Sequence, residues 1–149
     1  MTHKVSIIPQ AVLDVVDADA RKMLTPAVER SGGRHTIDSV MASIYNGYNA
    51  LWFAFNDDGK SVGALVTEIE TYPNRTMLNL IFCAGGDLED WHEEMLDVLE
   101  KYGRDNGCDG MELIGRYGWK KFLQKHGWEA SYLVCQMSFD REQEKRDAA

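Results

Sequence analysis

Residues 76–114 read TMLNLIFCAGGDLEDWHEEMLDVLEKYGRDNGCDGMELI, and their periodicity decides the fold. Residues 76–83 form an apolar run without a charge, which predicts a central strand buried on both faces. Ala84-Gly85-Gly86 breaks it, and Asp87 stands where a helix cap is wanted. Leu88, Trp91, Met95, Val98, Leu99 and Tyr102 recur at helical intervals, so the helix presents one apolar face. Gly107 suits its C-terminal cap, and residues 108–114 read as a second strand that Gly115 ends. A strand, a helix and a strand in this order imply a parallel pair with a right-handed crossover.

Upstream, residues 4–8 predict a short first strand ended by Pro9. Val12, Val15, Val16 and Met23 give residues 12–30 a helical period, which Pro26 should kink or split. Ser31-Gly32-Gly33 is a break, and Thr36 can cap a second helix with Ile37, Val40, Met41 and Ile44 on one face. Two strands follow, at residues 50–55 and 61–71, around the turn signal Asn56-Asp57-Asp58-Gly59. Tyr72-Pro73-Asn74-Arg75 then turns the chain into the apolar run. Downstream, residues 117–126 predict a short helix ended by Gly127. Residues 128–139 predict a last long strand, with Leu133, Cys135, Met137 and Phe139 on one face and Tyr132 and Val134 on the other. The fold class is α/β: a mixed sheet of antiparallel hairpins followed by a parallel β-α-β unit, with helices on both faces.

The chain has 149 residues and a formal net charge of −8. That length suits one domain, expected over residues 1–139, with a polar and disordered tail over residues 140–149. The hydrophobic fraction of 44% is ordinary for a globular protein and excludes disorder of the whole chain. The acidic balance argues against broad nucleic-acid binding, because phosphate repels it. No apolar run approaches a membrane span, and the first ten residues lack the apolar stretch of a signal peptide. The three cysteines, Cys83, Cys108 and Cys135, form no CxxC pair. They read as reduced, half-buried thiols, and the expected location is the cytoplasm. His3, His35, His92 and His126 show no ligand spacing, so no metal is expected.

The order of elements over residues 5–139 resembles the GNAT fold, the acyl-CoA N-acyltransferase family. Within GRYGWKKFLQKHGWEASYLVCQMSF, residues 115–139, the run Phe122-Leu123-Gln124-Lys125-His126-Gly127-Trp128 is similar to the family's closing helix, glycine–aromatic pair and strand. More narrowly, FCAGGDLEDW and GCDGMELIGRYGW resemble small GNAT-like proteins encoded by tailed phages and prophages. The family resemblance implies a strand that splays from its neighbour before the long helix and pairs with the pantetheine arm of acetyl-CoA. It also implies a loop and helix N-terminus that cradle the pyrophosphate. Those positions fall here on Phe82, Cys83, Ala84, Gly85 and Gly86. The loop is short and lacks the family's usual Arg or Gln, and Asp87, Glu89 and Asp90 crowd the first turn with negative charge.

The resemblance further implies a tyrosine in the closing helix that protonates the departing thiolate. Leu123 holds that position here, leaving Tyr117 and Tyr132 as alternative phenols. A general base needs a carboxylate with reach. Glu68 and Glu70 share one face of their strand, and Glu112 lies on the strand after the long helix. Arg116, Lys120, Lys121 and Lys125 make a basic cluster that suits a CoA phosphate, an acidic partner or plain solvation. Two functional classes follow. One is an acetyl-CoA-dependent N-acyltransferase acting on a small-molecule or protein amine. The other is a non-catalytic GNAT-fold virion, assembly or binding protein whose partners are phage structural proteins.

Overall fold

The computed structural model describes residues 3–139, so the expected polar tail lies outside the described residues. The chain divides into two compact units, Met1–Leu113 and Ile114–Ala149. The first contains β1 (Lys4–Ile7), α1 (Leu13–Glu29), α2 (Ile37–Tyr45), β2 (Ala50–Phe55), β3 (Ser61–Thr71), β4 (Thr76–Gly85), α3 (Leu88–Asp105) and β5 (Gly110–Leu113). Its strands lie in the order β1-β2-β3-β4-β5. Neighbours are antiparallel except β4 and β5, which run parallel across α3.

The two faces of the sheet are covered by different helices. On one, Leu13, Leu24 and Val28 of α1 and Val40, Met41 and Ile44 of α2 pack with Leu51, Phe53, Ala64, Val66 and Phe82. On the other, α3 places Trp91 against Gly63, Gly103 beside Leu78 and Tyr102 edge-on to Trp52. The Trp52 indole is buried there, and its N–H donates to the Thr67 hydroxyl at 3.0 Å, which satisfies both polar groups.

α1 runs as one helix through Pro26, so the chain is not split there. Pro26 and Lys22 both lie on the exposed side, so the carbonyl deprived of its donor is solvated. The buried face of Leu13, Ala20, Leu24 and Val28 continues past it. α2 begins as expected at Thr36. The Thr36 hydroxyl accepts from the Ser39 N–H at 3.0 Å, and the Ser39 hydroxyl accepts from the Thr36 N–H at 3.0 Å.

β4 is not buried on both faces. Leu78, Leu80 and Phe82 are buried, while Met77, Asn79, Ile81 and Cys83 are only partly buried. The reason is visible on β3, which is buried from Gly63 to Thr67 and half-exposed from Glu68 onward. β5 is shorter than expected because Cys108 belongs to the end of α3. Its N–H donates to the Gly103 carbonyl at 2.8 Å and that of Gly107, at φ +76°, to Arg104 at 3.2 Å.

The second unit contains α4 (Gly118–Gln124), where Trp119 and Phe122 stack edge to face at 5.6 Å. Residues 128–139 form no strand, contrary to the alternation of their side chains. A strand exists only in a ladder, and among the described residues none pairs with this segment. Cys135 is accordingly exposed and not half-buried.

Candidate active site

β5 pairs with β4 only from Met77↔Gly110 to Leu80↔Leu113, and Leu113 is its last residue. β4 continues to Gly85. Residues 81–85 of β4 therefore present a backbone edge that no strand pairs with on the β5 side, among the described residues. The register between β3 and β4 slips at the same level. Val66 faces Phe82 while Thr67 faces Leu80, so Ile81 is the extra residue of a β-bulge.

The bulge reverses the facing of β4. Leu78 lies below it beside Gly103 of α3. Above it, Phe82 enters the cluster under α1 and α2, where the His35 ring meets it edge-on at 5.5 Å. The next residue, Cys83, turns its sulfur to Met95 of α3 at 3.9 Å. Burial pushes the Cys83 thiol up to about 12. It therefore stays protonated and is a packing group, not a nucleophile.

At the end of β4, two glycines do different work. Gly85 has φ +133°, and a Cβ on it would lie 2.4 Å from the Gly63 Cα and 2.5 Å from the Val62 carbonyl oxygen. Its missing side chain serves the close approach of β3. A Cβ on Gly86 would meet nothing within 4 Å. The Gly86 N–H donates to the Val62 carbonyl at 3.1 Å, and its own carbonyl accepts from the Trp91 indole at 2.9 Å. Asp87 does not cap α3. It sits in the left-handed region at φ 56° and its side chain makes no capping bond. So short a turn forces that backbone, which removes the extended geometry a capping side chain needs. Glu89 and Asp90 are exposed in the first turn, as expected.

Across the sheet below the bulge runs a polar row. Glu68 pairs with Asn79, and Asn79 pairs with Glu112, so three strands place these side chains side by side on one face. Glu112 accepts a hydrogen bond from the Tyr72 hydroxyl at 2.6 Å. That bond holds the Tyr72 phenol up at about 12, so it remains a donor. Burial, with the Glu70 charge adding to it, raises the pKa of Glu68; His35 opposes them. The row is thus a half-buried acidic surface beside His35 and the bulge.

No protein-family model matches the chain, and no curated protein matches it either. Solved structures do. Glucosamine-6-phosphate N-acetyltransferase from Arabidopsis thaliana is 15% identical, with 94% of this chain and 100% of that chain covered and a TM-score of 0.64. The aminoglycoside N-acetyltransferase AAC(6')-Iy, in complex with CoA, is 18% identical, with 93% and 95% covered and a TM-score of 0.66. An aminoglycoside acetyltransferase from an uncultured soil metagenomic sample is 12% identical, with 94% and 100% covered and a TM-score of 0.67. The fold is that of the GNAT acetyltransferases. None of the three is described as a virion protein, and the narrower likeness to phage-encoded proteins gains no support from them.

On this GNAT sheet, Phe82, Cys83, Ala84, Gly85 and Gly86 lie along one strand end and its turn. Glu68 and Glu112 come together across Asn79. Tyr117 and Tyr132 belong to the second unit and are 81% and 95% exposed. Leu123 is buried, and Arg116, Lys120, Lys121 and Lys125 are exposed. His35, Tyr72 and Asn79 were not expected in the site. The Tyr72–Arg75 turn held the missing signal, because counting outward from its Thr71↔Thr76 pair aligns Glu68 with Asn79.

Proposed function

We propose that this chain is an acyl-CoA-dependent N-acyltransferase with acetyl-CoA as donor and a small-molecule or protein amine as acceptor. The observation that carries the reading is the fork between β4 and β5. An unpaired strand edge begins at a bulge and ends at a helix N-terminus. The donor groups present fit such a ligand. Residues 81–85 would hold the pantetheine arm as a further strand is held, through backbone N–H and C=O groups. Open space over Gly86 and the N–H groups of Leu88 and Glu89 at the start of α3 suit a pyrophosphate, while the Asp90 N–H is already donated to the Asp87 carbonyl at 2.8 Å. Bound acetyl-CoA supplies an activated acyl group as a thioester.

The chain's own residues supply attraction and proton transfer. The acidic row attracts an ammonium, and Glu68 takes its proton at a carboxylate oxygen, freeing the amine lone pair. Glu112, anchored by Tyr72, completes the row across Asn79. No covalent enzyme intermediate is needed, in keeping with the protonated Cys83 thiol.

Acetyl-CoA at a hundred times its Kd stabilises a native-state binder by about 2.7 kcal/mol, and the melting temperature should rise by roughly 5–10 °C. Gly86→Val, whose Cβ meets nothing within 4 Å, should keep the unliganded melting temperature and lose that rise. A wild-type protein that acetyl-CoA does not stabilise would overturn the proposal. A non-catalytic assembly or binding protein is the second reading. The buried apolar Leu123 favours it, standing where the resemblance places a phenol.

A further inference from the structure

We propose that His35 is the specificity-determining residue of the amine site: seated on Phe82 beside the acidic row, its protonated ring competes with the acceptor's ammonium for Glu68. The inference rests on the acyltransferase reading and adds to it a group that sets when a cationic acceptor is admitted.

His35 lies in the turn between α1 and α2, and that turn is held at both ends. The His35 N–H donates to the Ser31 hydroxyl at 3.3 Å, and the Arg34 guanidinium donates to the Ser31 carbonyl at 3.0 Å. One residue on, the Thr36–Ser39 capping box starts α2. Arg21 of α1 bonds Asp17 at 2.8 Å and Asp38 at 2.6 Å, which ties the first turn of α2 to α1. The His35 ring is thereby set edge-on to Phe82 at 5.5 Å. Phe82 pairs with Val66, and Glu68 lies two residues further along β3 on the same face, about 7 Å from Val66. The bulge brings these groups together, because it turns Phe82 toward α1 and α2, on the face that carries Glu68.

The charges around the ring are unequal. From β3 it meets Glu68, with Glu70 behind it and Glu112 across Asn79. From β4 it meets the apolar Phe82. In the first turn of α2 stands Asp38, paired with Arg21, and on its own turn stands Arg34. Burial and the Glu70 charge raise the pKa of Glu68, and His35 opposes them, so its charge is felt at that carboxyl. Histidine ordinarily changes charge between about pH 5 and 8, a range in which an aliphatic amine stays an ammonium. As neutral imidazole, His35 leaves the carboxylate to the ammonium. As imidazolium, it compensates the carboxylate and repels a second cation. The ring is exposed, so water supplies its proton.

Steady-state rates from about pH 5.5 to 8 test this, with a lysine peptide, spermidine and glucosamine as cationic acceptors and aniline as an uncharged one. In the wild type, KM for the cationic acceptors should rise on the order of tenfold on acidification, while KM for aniline and for acetyl-CoA stays level. In His35→Gln that rise should disappear, with the melting temperature kept. The Glu68 carboxyl carbon, followed by NMR and assigned through Glu68→Gln, gives a readout free of turnover. It should titrate at higher pH in His35→Gln than in the wild type, because the imidazolium that favoured the carboxylate is gone. A KM that rises equally in His35→Gln overturns the proposal, and so does a Glu68 titration that the substitution leaves in place. A wild type that acetylates the cationic amines with a level KM overturns the role of His35 alone. A wild type that acetylates none of the four amines overturns the acyltransferase reading on which that role rests.

Discussion

Gly85→Ala is expected to destabilise the protein by about 4 kcal/mol, the sum of an overpacking cost and a backbone-strain cost of about 1–3 kcal/mol each. Its added methyl would sit 2.4 Å from the Gly63 Cα and 2.5 Å from the Val62 oxygen, both rigid backbone. β3 cannot retreat, because Gly63 is itself pinned. A Cβ on Gly63 would lie 2.6 Å from the Trp91 ring, and Trp91 is fully buried. Trp91 in turn fixes the β4–α3 turn through the Gly86 carbonyl. Gly63, Gly85 and Trp91 are therefore one packing unit, joining the strand end to the helix that follows. Gly86→Ala, one residue along, should change stability by no more than about 0.5 kcal/mol. Urea unfolding of the two variants beside wild type measures the contrast. If Gly85→Ala unfolded at the wild-type midpoint, the glycine pair would not be divided between fold and ligand as described.

That division was not legible in the sequence. Gly-Gly after a strand reads as permission for a ligand's close approach, and β3, from which the first glycine's neighbour comes, is remote in the chain. The element order was legible, because period and turn signals agree locally. Asn56 to Gly59 turns one hairpin, Thr36 opens α2 and Gly107 ends α3. Where the reading failed, a non-local contact decided. The β4 bulge at Ile81 has no residue signature and arises from how β3 and β4 pair. Pro26 is tolerated because its side of α1 faces water. Residues 128–139 carry a strand's alternation, but alternation does not supply a ladder partner. Glu68 and Glu112 were named singly as carboxylates with reach. Their neighbourhood needed the register, and with it came Asn79 and Tyr72.

Glu68→Gln tests that neighbourhood, with an expected loss of about 10²-fold in kcat/KM for amine acetylation. The substitution keeps the side chain's size and removes only the proton acceptor. Burial and the Glu70 charge raise the pKa of Glu68, so folding favours its protonated form. The associated stability is full below the unfolded glutamate value, about 4.3. It is lost as pH rises through the higher folded value. Glutamine mimics the protonated state at every pH, so the variant should melt no lower than wild type at pH 7 and equally at pH 4. A collapse of activity without a collapse of stability separates a chemical role from a structural one. In the wild type, the acid limb of the kcat/KM profile should reflect a carboxylate above its ordinary range, and in the variant that limb should vanish. Thiol release from acetyl-CoA, followed with polyamines, aminosugars and lysine peptides as acceptors, supplies the rates. An unchanged profile would remove Glu68 from the reaction and leave the acidic row only the task of attracting a cation. A variant that melted lower at pH 7 would show instead that the Glu68 charge stabilises the fold, against the direction that burial beside Glu70 dictates.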